Sequence, residues 1–170
     1  MVQPTRVILS GPSLLTYFGA PSDNMCAQAT EATVGKPVLL QKIDSTGRNQ
    51  LQLWQIGNDG LIYLYNHDIQ PMFCLTFAGR AEDSAPLVLA FPNPSDDNQI
   101  WLPVCFQNLG ASRNGTGFFL DDKYGSSSAG NQLQIYHANG NPSQRWLIQP
   151  PRSGSVRDGV KIPVLERKVL

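Results

Sequence analysis

The chain contains three tryptophans, and each closes a Gln-x-Trp triplet: Gln52-Leu53-Trp54, Gln99-Ile100-Trp101 and Gln144-Arg145-Trp146. The tryptophans stand 47 and 45 residues apart. A second set of marks lies upstream: Cys26-Ala27-Gln28, Cys74-Leu75-Thr76 and Phe119-Leu120-Asp121. The third residue of each precedes its tryptophan by 26, 25 and 25 residues. An apolar run separates the two marks in every copy, at 38–41, 87–90 and 133–136. Self-similarity at such a period is the signature of a repeat architecture. The chain therefore reads as three copies of one unit, roughly 14–57, 58–104 and 105–149.

Within each copy, short apolar segments alternate with turn residues, and no stretch has helical period. Strands are expected at 14–18, 25–29, 37–43, 51–56, 61–65, 72–77, 86–91, 100–106, 106–109, 117–121, 132–137 and 145–149, with a further apolar segment at 7–9. Asn58-Asp59-Gly60 supplies the residues that a tight hairpin after Trp54 needs. Twelve short strands in a threefold repeat of four specify an all-β fold, the β-trefoil: a six-stranded barrel capped by three hairpins.

Composition narrows the function. Net charge is zero and 15% of the 170 residues are charged, against about 25% in typical soluble domains. Nucleic acid as a partner would favour a basic face, and none is evident. No apolar run approaches the roughly 20 residues that span a bilayer, so membrane insertion is not expected. The N-terminus lacks the apolar core and cleavage site of a signal peptide. The expectation is a cytoplasmic chain, or one exported without such a signal.

Cys26, Cys74 and Cys105 are an odd set, two of them at equivalent repeat positions, and are expected as reduced, buried thiols. No cofactor motif is present, and His67 has no metal-ligand partner at useful spacing. Asn114-Gly115-Thr116 matches a glycosylation acceptor, which has no use in a chain that is not exported. Residues 1–149 form the domain, and 150–170 an extension opened by Pro150-Pro151. Val160, Ile162 and Val164 alternate there, suiting an added edge strand against 7–9 or against another subunit in a homodimer.

Only the third unit is chemically equipped. Gln134 and Tyr136 are two apart on a strand and share a face. Tyr136 offers a flat apolar face for stacking, while the Asp121 carboxylate can accept hydrogen bonds; both are expected at the surface. Asp122, next in the strand, should point away from Asp121, which argues against a catalytic carboxylate pair. His137 should likewise turn away from Tyr136. Ser126–Ser128 lack the strand–turn–helix setting of a nucleophile elbow, and no catalytic constellation is found. The tryptophans read as core, and Gln52 and Gln99 as partners of buried backbone.

The triplets, their spacing and the third unit's LDDKYGSSSAGNQLQIY resemble the ricin-type (R-type) lectin family over roughly 14–149. That resemblance implies a β-trefoil in which a unit carries a shallow site for galactose or N-acetylgalactosamine. The family's site residues map onto Asp121, Gln134, Tyr136 and Gln144. Ser143 stands where the family commonly has Asn, with Asn139 or Asn141 in the same loop to compensate. The first unit has Gln28, Leu39 and Gln41 at the corresponding positions and the second Thr76, Val88 and Ala90, so neither is expected to bind. The implied partners are glycans ending in galactose-type sugars, bound weakly, about millimolar to tens of micromolar per site. Two other functions suit the same fold: a protease inhibitor acting through exposed loops, and a glycan-targeting subunit of a toxin or enzyme complex.

Overall fold

The computed structural model describes residues 12–65, 73–104, 108–111 and 117–151. Residues 7–9 and 160–164, His67, Cys105, Asn114 and nearly all of the extension lie outside this set. The described residues form twelve strands: β1 (Leu14–Tyr17), β2 (Met25–Ala29), β3 (Val38–Lys42), β4 (Trp54–Ile56), β5 (Ile62–Leu64), β6 (Cys74–Phe77), β7 (Ala85–Ala90), β8 (Trp101–Val104), β9 (Asn108–Ala111), β10 (Phe118–Asp122), β11 (Leu133–His137) and β12 (Trp146–Gln149). Only single turns of 3-10 helix interrupt them, and none is long enough to cross a membrane.

The chain closes on itself. β1 pairs antiparallel with β12, β4 with β5 and β8 with β9, and a Ser13–Trp54 bridge links the first strand to the fourth. These six strands are the barrel of a β-trefoil. The hairpins β2–β3, β6–β7 and β10–β11 cap it and touch one another through Pro37–Val88, Leu39–Gln132 and Gln134–Pro86. Cross-strand pairs of each hairpin face the core, among them Ala27–Leu40, Leu75–Leu89 and Leu120–Ile135, all buried. Complete burial of each Leu or Ile contributes about 1.5–3 kcal/mol.

The repeat marks have a shared physical role. Trp54, Trp101 and Trp146 are 0%, 3% and 2% exposed, as core tryptophans should be. Each indole Nε1–H donates to a strand carbonyl: Ala27 at 3.1 Å, Leu75 at 3.0 Å and Leu120 at 3.1 Å. Those carbonyls immediately precede Gln28, Thr76 and Asp121. The tryptophan thus anchors the backbone that presents the site position of its unit. The triplet glutamines repeat as well. Gln52 donates to the Lys42 carbonyl (2.7 Å) and accepts from the Asp44 amide (2.9 Å); Gln99 does the same with Phe91 (3.1 Å) and Asn93 (2.7 Å).

Some boundaries differ from the sequence expectation. Gln50–Gln52 is a one-turn 3-10 helix rather than the start of β4. Asn49 caps it, its side chain accepting from the Leu51 amide at 3.1 Å, which is a helix-start signal. β9 covers 108–111 rather than 106–109, in register with β8 from Trp101–Ala111 to Val104–Asn108. The hairpin after Trp54 forms as expected, though only Gly60 of its turn takes positive φ (82°).

A buried carboxylate and two tyrosines in the third unit

Strands β10 and β11 pair so that Asp121 lies directly across from Gln134. The equivalent cross-strand pairs are Gln28–Leu39 and Thr76–Val88, so the three units are in the register that the repeat implied. Around Asp121 the end of the hairpin opens into a concavity of about 520 Å³, within the roughly 300–1,000 Å³ range of small-ligand pockets. Asp121, Gln134 and Ser143 line its floor. Tyr136, Asn139 and Asn141 stand on one side, and Tyr124 and Ser127 on the 123–132 loop. Ser84 reaches in from the second unit and Tyr17 from the first.

Asp121 is not at the surface, contrary to the sequence expectation: it is 4% exposed. Its Oδ1 accepts from Gln134 Nε2 at 2.9 Å and its Oδ2 from Ser143 Oγ at 2.8 Å, so both edges are covered by neighbours. A carboxylate offers about four acceptor positions, which leaves capacity for a further donor from the concavity. Burial pushes the Asp121 carboxyl above the ordinary range, the bonds from Gln134 and Ser143 oppose that shift, and the adjacent Asp122 charge adds to it. Gln134, 3% exposed, gives its amide N–H to Asp121 and leaves Oε1 buried with no hydrogen-bond partner. An orphaned buried acceptor costs about 1–3 kcal/mol, a cost that a ligand hydroxyl would remove.

Tyr136 is half-buried and lines the concavity. Asn139 is exposed; its Oδ1 accepts from the Asn141 amide (2.9 Å), which turns the loop over the floor. Ser143, in place of the commoner Asn, braces the carboxylate. Gln144 is held by internal bonds and also acts on the Asp121 carboxylate, whose pKa its hydrogen bond lowers. It is 1% exposed, with Oε1 on the Asn139 amide (3.1 Å) and Nε2 on the His137 carbonyl (2.9 Å). Like Gln52 and Gln99 it pins the loop that follows its hairpin.

His137 does not turn away from Tyr136. The two rings are 4.5 Å apart with planes tilted 34°, because Asp83 draws the imidazole alongside. Asp83 accepts from the His137 amide at 2.9 Å and meets Nδ1 at 2.8 Å. The two bonds hold the Asp83 carboxyl below its ordinary range, the backbone bond foremost. Asp122 has a partner set separate from that of Asp121, as alternation along the strand demands. It is fully buried and accepts from the Ser127 amide (3.0 Å) and Asn131 Nδ2 (2.5 Å), clamping the 123–132 loop. Burial raises its pKa, against the hydrogen bonds from Asn131 and Ser127.

Sequence reasoning passed over Tyr124. Its ring is 88% exposed and its backbone sits at φ 63°, ψ 5°, a left-handed conformation that is costly for a bulky residue. The signal was a lone aromatic in the polar run DDKYGSSSAGNQ, followed directly by Gly125.

The positions equivalent to Asp121 in the first two units are engaged internally, and a concavity of about 540 Å³ beside Asp23 and Lys42 has no aromatic lining. Gln28 Oε1 is occupied by Gln52 Nε2 (2.8 Å) and Asn49 Nδ2 (3.0 Å), and Thr76 Oγ1 donates to the Asn98 carbonyl (3.1 Å). A 160 Å³ concavity beside the first unit's 43–53 loop has no aromatic wall. Its carboxylate, Asp44, is occupied by the Thr46, Arg48 and Asn49 amides. Among the described residues no cluster of His, Cys, Asp and Glu is placed to hold a metal. Cys26 and Cys74 are buried and outside any disulfide, and burial pushes the Cys26 thiol up to about 12.

Six barrel strands capped by three hairpins in a threefold repeat define the β-trefoil class of domain. The profile of the ricin-type beta-trefoil lectin domain matches residues 16–146, and the chain belongs to that family. The family is a carbohydrate-binding, non-catalytic one.

Solved structures share the fold at low identity. The C-terminal half of the earthworm R-type lectin, solved with GalNAc, is 13% identical with a TM-score of 0.64, over 81% of this chain and 96% of that one. ThreeFoil, a designed threefold-symmetric protein, is 19% identical with a TM-score of 0.65, over 82% and 99%. A non-toxic homologue of type II RIPs from Momordica charantia (bitter gourd), solved with α-methyl-D-galactoside, is 14% identical with a TM-score of 0.63, over 85% of this chain and 48% of that one. None of the curated proteins compared with the chain matches it.

Proposed function

We propose that this protein is a lectin for glycans ending in galactose or N-acetylgalactosamine, which it binds through one site, in its third unit. The observation that carries this reading is the meeting of Asp121, Gln134 and Tyr136 in one concavity, with Gln134 Oε1 buried beside it and still without a hydrogen-bond partner. Adjacent sugar hydroxyls donate to Asp121, and hydrogen bonds to a charged group contribute about 1.5–3 kcal/mol. Another hydroxyl donates to Gln134 Oε1. The ring takes the apolar C–H face that a galactose-type sugar presents, and Asn139 and Ser143 line the rim and floor. Because Gln28 and Thr76 are engaged internally and have no aromatic partner, the first two units act as scaffold.

An open site of this kind buries little surface. Binding to one chain is therefore weak, and avidity requires several chains on one glycan surface. The protease-inhibitor alternative has less support, since the 78–85 loop is tied to β11 through Asp83 and His137. A glycan array on the purified chain tests the proposal. Retention of galactose-terminated and N-acetylgalactosamine-terminated glycans is expected, and a blank array refutes it.

A further inference from the structure

We propose that Tyr124 is the platform of a second, outer subsite, which takes the sugar residue linked to the one held at Asp121. The lectin would then prefer an oligosaccharide to its terminal monosaccharide. This inference rests on the reading of Asp121, Gln134 and Tyr136 as the sugar site.

Three observations lead to it. Tyr124, on the 123–132 loop, lines the same concavity of about 520 Å³ as Asp121 and Tyr136. Its ring is 88% exposed, whereas Tyr17 and Tyr63 are 2% and 1% exposed. That ring is held in a strained left-handed backbone conformation, φ 63°, the kind of outlier that clusters at ligand clamps. Its scaffold is also stiff. Asn131 Nδ2 donates to the Lys123 carbonyl (2.6 Å) and to Asp122 Oδ1 (2.5 Å), while the Ser127 amide donates to Asp122 Oδ2 (3.0 Å). The loop is fixed on both sides of the tyrosine, so little conformational freedom remains to be lost when a ligand docks.

The chemistry selects a sugar. The face of an aromatic ring is electron-rich, and the C–H groups of a pyranose carry the complementary partial charge. The Lys123 ammonium lies 5.3 Å from the Tyr124 centroid, over one face. The other face remains for the ligand.

The test compares methyl β-galactoside with N-acetyllactosamine by titration calorimetry. The parent should bind the disaccharide about tenfold more tightly, the yield of burying a modest ring face against sugar. Tyr124→Ala and Tyr124→Gly should lose that preference and keep the parent's affinity for the monosaccharide, while Tyr124→Phe should retain both. The glycine variant accepts the positive φ, so agreement between it and the alanine variant excludes a misfolded loop. Equal affinity of the parent for both sugars overturns the subsite, as does an equal loss of both in Tyr124→Ala. Absence of all galactoside binding by the parent instead refutes the primary site, and this inference with it.

Discussion

Removing the Asp121 carboxylate should weaken the fold as well as the site. Asp121→Ala deletes the acceptor of Gln134 Nε2 and Ser143 Oγ, both on buried residues. Each orphaned group costs about 1–3 kcal/mol, offset in part because a desolvated carboxylate no longer has to be buried. A net loss of about 2 kcal/mol follows, equivalent to a fall of about 4–8 °C in Tm for a domain of this size. Sugar affinity should fall by about ten- to a hundredfold, the worth of one charge-assisted hydroxyl bond. Asp121→Asn separates the two effects. It keeps the shape and one acceptor oxygen, so the Tm should fall less while affinity still drops. Thermal unfolding and calorimetry on the same samples supply the readouts. Parent-like Tm and parent-like affinity in Asp121→Ala would refute the reasoning.

Three further outcomes are expected. Burial raises the pKa of Asp121 and Asp122, so the folded chain holds these protons more tightly than the unfolded one. Their contribution to stability is present below the ordinary carboxylate value and is lost as pH climbs through the raised folded values. Sugar binding runs the other way, because hydroxyls donate to the ionised Asp121: affinity measured against pH should fall on acidification, with a midpoint above the ordinary Asp value. Tyr124→Gly should raise stability by about 0.5–1 kcal/mol in denaturant titrations, since glycine takes φ 63° without strain. Cys26 and Cys74 should resist a thiol reagent in the folded protein and react once it is denatured, because both are fully buried and the Cys26 thiol is pushed up to about 12.

The fold was legible because its constraints are local and repeated. Three indoles at near-constant spacing each need a carbonyl one strand away, and three glutamines each bridge a strand end to a loop. Register followed from the same marks, since Asp121 pairs with Gln134 as Gln28 does with Leu39. What escaped was set by contacts between units or by loop geometry. The burial of Asp121 depends on the 139–143 loop folding back to place Ser143 on Oδ2. The imidazole of His137 sits beside Tyr136 because Asp83, 54 residues earlier, binds it. Gln144 also bridges the Asn139 amide and the His137 carbonyl, a backbone role that polarity alone does not reveal. Tyr124 was hidden by its neighbours, a run of Ser and Gly that reads as an ordinary loop.

The three tryptophans, one to a unit, allow a direct test of the claim that the third unit alone binds sugar. Each indole N–H is bonded to the carbonyl just before its unit's site position, at Ala27, Leu75 or Leu120. Trp146 also packs 5.2 Å from Tyr17, which lines the concavity. In a proton–nitrogen correlation spectrum, titration with methyl β-galactoside should shift the Trp146 indole resonance saturably and leave those of Trp54 and Trp101 in place. Saturable shifts at Trp54 or Trp101, with Trp146 unmoved, would contradict the account.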